Sequence, residues 1–171
     1  TAVSVPGTVE VDGVTYTVAS MYFSSFGDSL PNITSLELPD TLTSIQGSFR
    51  CFSGVSEITI PSSVKVFEAS FQFMDNLETL TLSEGVEEIG QSAGSMVSGC
   101  DSLTTINLPS TLKLISANAC FSGATALTAI NLPNGLQFGS NTLSYFSDCS
   151  SLTSVTLPAG MTQIPQSMFN G

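Results

Sequence analysis

The sequence predicts a repeat solenoid, a right-handed stack of short coils that is mainly β. Three observations predict it. A strand-like motif recurs six times, a second apolar pair follows five of the copies at a similar offset, and the intervals between copies differ by only a few residues.

The motif comes first in each coil. Five segments read apolar, two others, apolar, one other, then Leu or Ile followed by Pro: Ile33 to Pro39, Val55 to Pro61, Leu103 to Pro109, Leu127 to Pro133 and Leu152 to Pro158. A sixth, Leu77 to Ser83, puts Ser where the others have Pro. Starts at 33, 55, 77, 103, 127 and 152 give spacings of 22, 22, 26, 24 and 25 residues. These lie inside the range of about 20–29 residues for leucine-rich repeats. Alternation sends Leu36 and Leu38 to one face and Glu37 to the other, so each copy predicts one strand of a parallel sheet. The Pro lacks an N–H, ends the ladder and turns the chain.

The second half of the coil follows. Leu42 and Ile45, Val64 and Phe67, Val86 and Ile89, Leu112 and Ile115, and Met161 and Ile164 predict a back wall made of a second short strand or turn. Short helical or irregular Ser/Gly-rich bends then carry an aromatic into the interior, as in Cys51-Phe52-Ser53-Gly54 and Cys120-Phe121-Ser122-Gly123. No coil buries enough apolar surface to offset the entropy of ordering its own backbone, so stability must come from the interfaces between coils. Ser83, the longer bend at 90–99 and Gly139, which stands where a second Ile is expected, predict less regular fourth and sixth coils.

The ends differ from the middle. A weaker copy opens the chain with Val3, Val5 and Pro6, and Thr8 to Thr17 alternate around Asp12-Gly13, which predicts a β-hairpin inserted with a tight two-residue turn. The hairpin is expected to project from the first coil or cover it as a partial cap. Residues 1–171 then form one array: 1–32 as an N-terminal partial repeat with the hairpin, and 33–171 as six repeats, the last incomplete. Thr1 opens inside a strand and Met168-Phe169-Asn170-Gly171 stops in mid-repeat. The chain is therefore expected to be a segment of a longer protein, or to meet a partner or self-associate at its C-terminal end.

Composition excludes several functions. Fourteen acidic residues oppose Arg50, Lys65 and Lys113, for a net charge of −11, which rules out the clustered cations that nucleic acid or anionic lipid requires. No apolar run of about 20 residues predicts membrane insertion, and no signal peptide is visible. The chain has no His, so no Ser-His or Cys-His dyad is available. With no phosphate-cradling or dinucleotide loop either, the expectation is no enzyme, no catalytic residues and no cofactor. Cys51, Cys100, Cys120 and Cys149 lack CxxC spacing and predict no metal site. Cys100 and Cys149 share one repeat position two coils apart, and Cys51 and Cys120 another, three coils apart. Equivalent positions two or three strands apart lie roughly 10–14 Å from each other, beyond disulfide reach. Cys100 with Cys120 is the one conceivable pair, and buried free thiols are the expectation.

Candidate binding residues are the outward strand positions. One column is Ser35, Glu57, Thr79, Thr105, Ala129 and Ser154, and its neighbour is Glu37, Thr59, Thr81, Asn107, Asn131 and Thr156. Thr and Asn also simply suit an exposed sheet. The absence of large aromatics predicts a weak or multivalent contact and disfavours sugar stacking. Hydroxyl ladders on a flat sheet resemble ice-binding surfaces, but Ala, Asn and Glu interrupt them. Glu37 and Glu57 could in principle act on a glycan, yet no pocket is predicted around them. Glu84, Glu87 and Glu88 lack the oxygen spacing of a dedicated Ca²⁺ loop. Asn32-Ile33-Thr34 is a glycosylation sequon, meaningful only in a eukaryotic secretory pathway.

The runs Cys100 to Pro109 and Cys149 to Pro158, the Phe-Ser-Gly bends at 52–54 and 121–123, and the hairpin followed by Tyr16-Thr17-Val18 resemble the BspA-like leucine-rich repeat family over essentially the whole chain. The resemblance implies a secreted or cell-surface protein, often adhesin-like, with no catalytic residues and no shared ligand. An extracellular protein-binding or adhesion module is therefore expected, its partner a host or neighbouring-cell surface protein. A structural spacer or end-to-end self-assembling solenoid is the alternative, and a glycan-active enzyme a distant third.

Overall fold

The computed structural model describes residues 1–23, 30–140 and 144–170. The chain winds into a β-solenoid of about five turns with almost no helix. Gly171, the end of the expected array, lies outside the described residues.

The repeat motif forms the front strands: β1 (Ala2–Ser4), β5 (Ser35–Glu37), β7 (Glu57–Ile60), β9 (Thr79–Leu82), β11 (Thr105–Asn107), β13 (Ala129–Asn131) and β15 (Ser154–Thr156). The second apolar pair lies in or just before the back strands: β4 (Ser20–Phe23), β6 (Ser44–Ser48), β8 (Val66–Ser70), β10 (Glu88–Ile89), β12 (Leu114–Ile115) and β14 (Gln137–Phe138). All the ladders between coils are parallel, and the two walls differ in continuity. The back strands hydrogen-bond in one unbroken order, β4-β6-β8-β10-β12-β14. The front wall is three separate ladders, β1-β5, β7-β9-β11 and β13-β15. Successive copies of the motif stand in register within each ladder, Leu80 beside Ile58 and Ile106.

Leu42, Ile45, Val64, Phe67, Val86, Ile89, Leu112 and Ile115 are all fully buried, so the back wall is closed as the pattern predicts. Two readings change. Phe138, not Gly139, occupies the second apolar position of its coil, pairing with Ile115, because the chain between Pro133 and that strand is one residue shorter than after Pro109. Met161 and Ile164 do not form a strand, and Ile164 is 50% exposed. The extra residues of the 90–99 bend fold into a 3-10 turn, Gln91–Ala93.

Inside the bends runs a column of rings. Phe49 stacks on Phe71 at 4.9 Å, Phe121 on Phe146 at 5.1 Å and Phe146 on Phe169 at 5.5 Å. Buried Val97 fills the gap between the two groups; the Phe71 N–H donates to Met96 just before it. This register corrects a sequence reading. Phe121 matches Phe49, not Phe52, so Cys51 and Cys120 do not share a repeat position. The two look-alike tetrapeptides are offset by three residues, because in one the core ring precedes the Cys and in the other it follows it.

One column of bend residues is left-handed: Phe73 (φ 62°), Gly99 (φ 73°), Gly123 (φ 77°) and Asp148 (φ 58°). Gly takes this conformation freely and Asp tolerates it, whereas Phe73 costs roughly 1–2 kcal/mol there.

The inserted hairpin is β2 (Thr8–Val11) and β3 (Val14–Thr17), with Asp12 and Gly13 both at positive φ, as a two-residue turn of this hand requires. Val18 N–H to Gly7 carbonyl closes its base at 2.8 Å. All eight strand residues are exposed. It projects and does not cover the first coil.

Candidate functional site

The front wall presents the two predicted columns side by side. Glu57, Thr79 and Thr105 are adjacent, as are Thr59, Thr81 and Asn107. A second ladder pairs Ala129 with Ser154 and Asn131 with Thr156. Side chains bond along the column: the Asn107 amide donates to the Thr81 hydroxyl at 3.0 Å, and the Thr156 hydroxyl to the Asn131 carbonyl oxygen at 2.7 Å. Asn107 with Thr81 and Asn131 with Thr156 therefore satisfy one another within two separate ladders, β7-β9-β11 and β13-β15.

At the joint between β5 and β7 the arrangement differs. No ladder joins these strands, and an open groove of about 320 Å³ lies across the joint. Leu36, Leu38 and Pro61 contribute its apolar lining, and Ser35, Glu37, Asp40, Glu57, Thr59 and Ser83 its polar lining. Four of the eleven predicted binding residues, Ser35, Glu37, Glu57 and Thr59, thus meet here, while Thr79, Thr81, Thr105, Asn107, Asn131, Ser154 and Thr156 lie elsewhere on the face. The three carboxylates Glu37, Asp40 and Glu57 are exposed, and such a site accepts hydrogen bonds from N–H donors and cations.

Sequence reasoning missed Asp40 and Ser83. Ser83 carried a signal, since it alone departs from Pro in the motif. Its N–H donates to the Ile60 carbonyl at 3.1 Å, a rung that Pro cannot supply. Asp40 had none, because its role depends on how the turn after Pro39 folds.

The other acidic group does not converge. Glu84 accepts from the Ser110 N–H and hydroxyl, both at 2.9 Å, Glu87 pairs with Lys113 at 2.9 Å, and Glu88 accepts from Ser116 at 2.6 Å. Among the described residues no group of three or more His, Cys, Asp or Glu is placed to hold a metal ion. The four cysteines are free. Burial raises all four thiol pKa values, that of Cys100 to about 12.

The model of the BspA type leucine rich repeat region matches residues 14–119 and 94–171, in six copies. Two solved structures resemble the chain. A leucine rich cell surface protein from Faecalibacterium prausnitzii is 26% identical, with a TM-score of 0.55 over 90% of this chain. A leucine-rich repeat protein from Bacteroides ovatus is also 26% identical, with a TM-score of 0.52 over 92%. The chain spans 46% and 45% of the length of those two proteins. No curated protein matches it.

Proposed function

Since the chain belongs to the BspA type leucine-rich repeat family, we propose that it is a non-catalytic protein-binding module of a larger surface or secreted protein. Its partner docks on the front wall, across the groove between β5 and β7. The observation that carries this reading is the groove itself, where three exposed carboxylates flank an apolar lining at an untied joint of the front wall. A partner strand or loop with Lys or Arg fits that lining. Support for an extracellular setting comes from the resemblance to the Faecalibacterium cell surface protein.

The test is binding of the purified chain to an immobilised panel of extracellular-matrix proteins, cell-surface glycans and bacterial surface proteins. The parent is expected to bind a protein of the panel. Glu37→Lys with Glu57→Lys should lose that partner, while Thr81→Lys with Asn107→Lys should weaken it less. A partner lost equally in both variants would move the site away from the groove, and no partner at micromolar concentration would defeat the reading.

A further inference from the structure

The bend edge of the stack, away from the groove, carries a feature that neither the repeat nor the front wall explains. Phe73 occupies the left-handed position that the next two coils fill with Gly99 and Gly123, and its side chain is 49% exposed. A large apolar residue held in a strained backbone and half in water is a poor choice for stability alone, and such outliers gather at functional positions. Over its ring lies the guanidinium of Arg50, 4.8 Å from the centroid. The ring also rests against Gly99, where a Cβ would come within 2.8 Å of Phe73 Cδ1. Gly99 thus leaves room for the ring, and the ring holds the guanidinium.

Arg50 is one of three cations in a chain of net charge −11. Lys113 pairs with Glu87, and Lys65 donates to the Gly85 carbonyl at 3.2 Å. Arg50 makes no ion pair among the described residues, so its planar fork of donors faces solvent beside an exposed ring. Arginine is among the side chains most enriched where binding energy concentrates, and both arginine and phenylalanine are enriched at interfaces over the rest of the surface.

We propose that Arg50 and Phe73 anchor a second docking patch, on the bend edge, for a protein segment that presents a carboxylate beside an apolar side chain. The carboxylate takes the guanidinium in a charge-assisted pair, and the apolar side chain covers the ring. A peptide suits this patch better than an acidic sugar. The nearby amides are already engaged, Gln72 with the Ser95 carbonyl at 2.9 Å and Asn76 with the Ser53 carbonyl at 2.8 Å, which leaves few donors for sugar hydroxyls.

The experiment is an NMR titration of the whole chain with acetyl-Leu-Glu-Leu-amide, with acetyl-Leu-Gln-Leu-amide and with a galacturonate dimer. The Glu peptide is expected to shift the Arg50 side-chain N–H and the Phe73 and Gly99 amides saturably in the millimolar range. The Gln peptide should bind about tenfold more weakly, the loss of one charge-assisted pair. Arg50→Gln should abolish the response with the rest of the spectrum unchanged, and Arg50→Lys should restore it in part. Any of three results would overturn the proposal: equal binding of the two peptides, an undiminished response in Arg50→Gln, or no saturable shift up to about 10 mM, a weakness beyond any anchoring contact. Tighter binding of the galacturonate dimer would replace the peptide with an acidic glycan and overturn it as stated.

Discussion

Glu84 illustrates how single residues join coils. Bonds from the Ser110 backbone and then its hydroxyl hold the Glu84 carboxyl below its ordinary range, because both donors favour the charged form. The folded pKa is depressed, so the contribution is present above the unfolded value and disappears as pH falls through the folded one. Glu84→Gln should therefore melt slightly lower than the parent at pH 7, with the difference shrinking in acid and vanishing once pH lies below the folded pKa. A difference that persists in acid would assign the effect to packing. At this scale the sequence was only partly legible. Burial of the thiols followed from their positions among apolar residues. The offset between Cys51 and Cys120 did not, because identical tetrapeptides conceal which ring enters the core. Nor did the strained φ of Phe73, since a side chain's identity says little about a backbone angle imposed by the neighbouring coils.

At the level of elements, the hairpin and the back wall separate local from cooperative structure. β2 and β3 pair Val9 with Tyr16 and Val11 with Val14, yet these four side chains are 43–54% exposed. A hairpin with every strand residue exposed adds little to the stack's stability. Replacing Thr8 to Thr17 by Asn-Gly, which still lets Val18 bond to Gly7, should leave the denaturant midpoint unchanged within about 0.5 kcal/mol. A larger loss would mean that the insertion supports the first coil. Asp12-Gly13 made this element legible, since its turn geometry is local. The second strand of each coil was legible only as a choice between strand and turn. Its register partners lie 22 to 26 residues away, and a pattern of two apolar residues three apart does not reveal whether neighbouring copies come close enough to pair.

The molecule as a whole has one core, running continuously through the coils. Leu132, just after β13, is 3% exposed, whereas Leu108 at the matching place is only partly buried. Leu132→Ala should cost about 2–5 kcal/mol, and Leu132→Asp more, because it puts a charge between two coils. Because coils are stable only through their neighbours, the Asp variant should lose far-ultraviolet circular dichroism over several coils and unfold with a reduced denaturant slope. An unchanged melt would show that the side chain does not face the interior. The repeat, its period and its inward residues were readable from end to end, because apolar spacing is a direct record of what must be buried. The groove was readable only as four polar residues with no pocket around them. The motif is the same on both sides of the β5–β7 joint, and a motif says nothing about the distance between its copies.

Backbone hydrogen bonds between coils run along the axis of the stack, so the difference between the two walls sets how the molecule deforms. The back wall is tied at every step from β4 to β14, while the front wall is untied between β5 and β7 and between β11 and β13. Pulled from its ends, such a body does not stretch evenly. It opens first at the two untied joints and bends about the continuous wall, like a strip scored on one side. The groove lies across one of those joints, so tension along the stack would widen it and compression would close it, making its shape a gauge of the force on the chain.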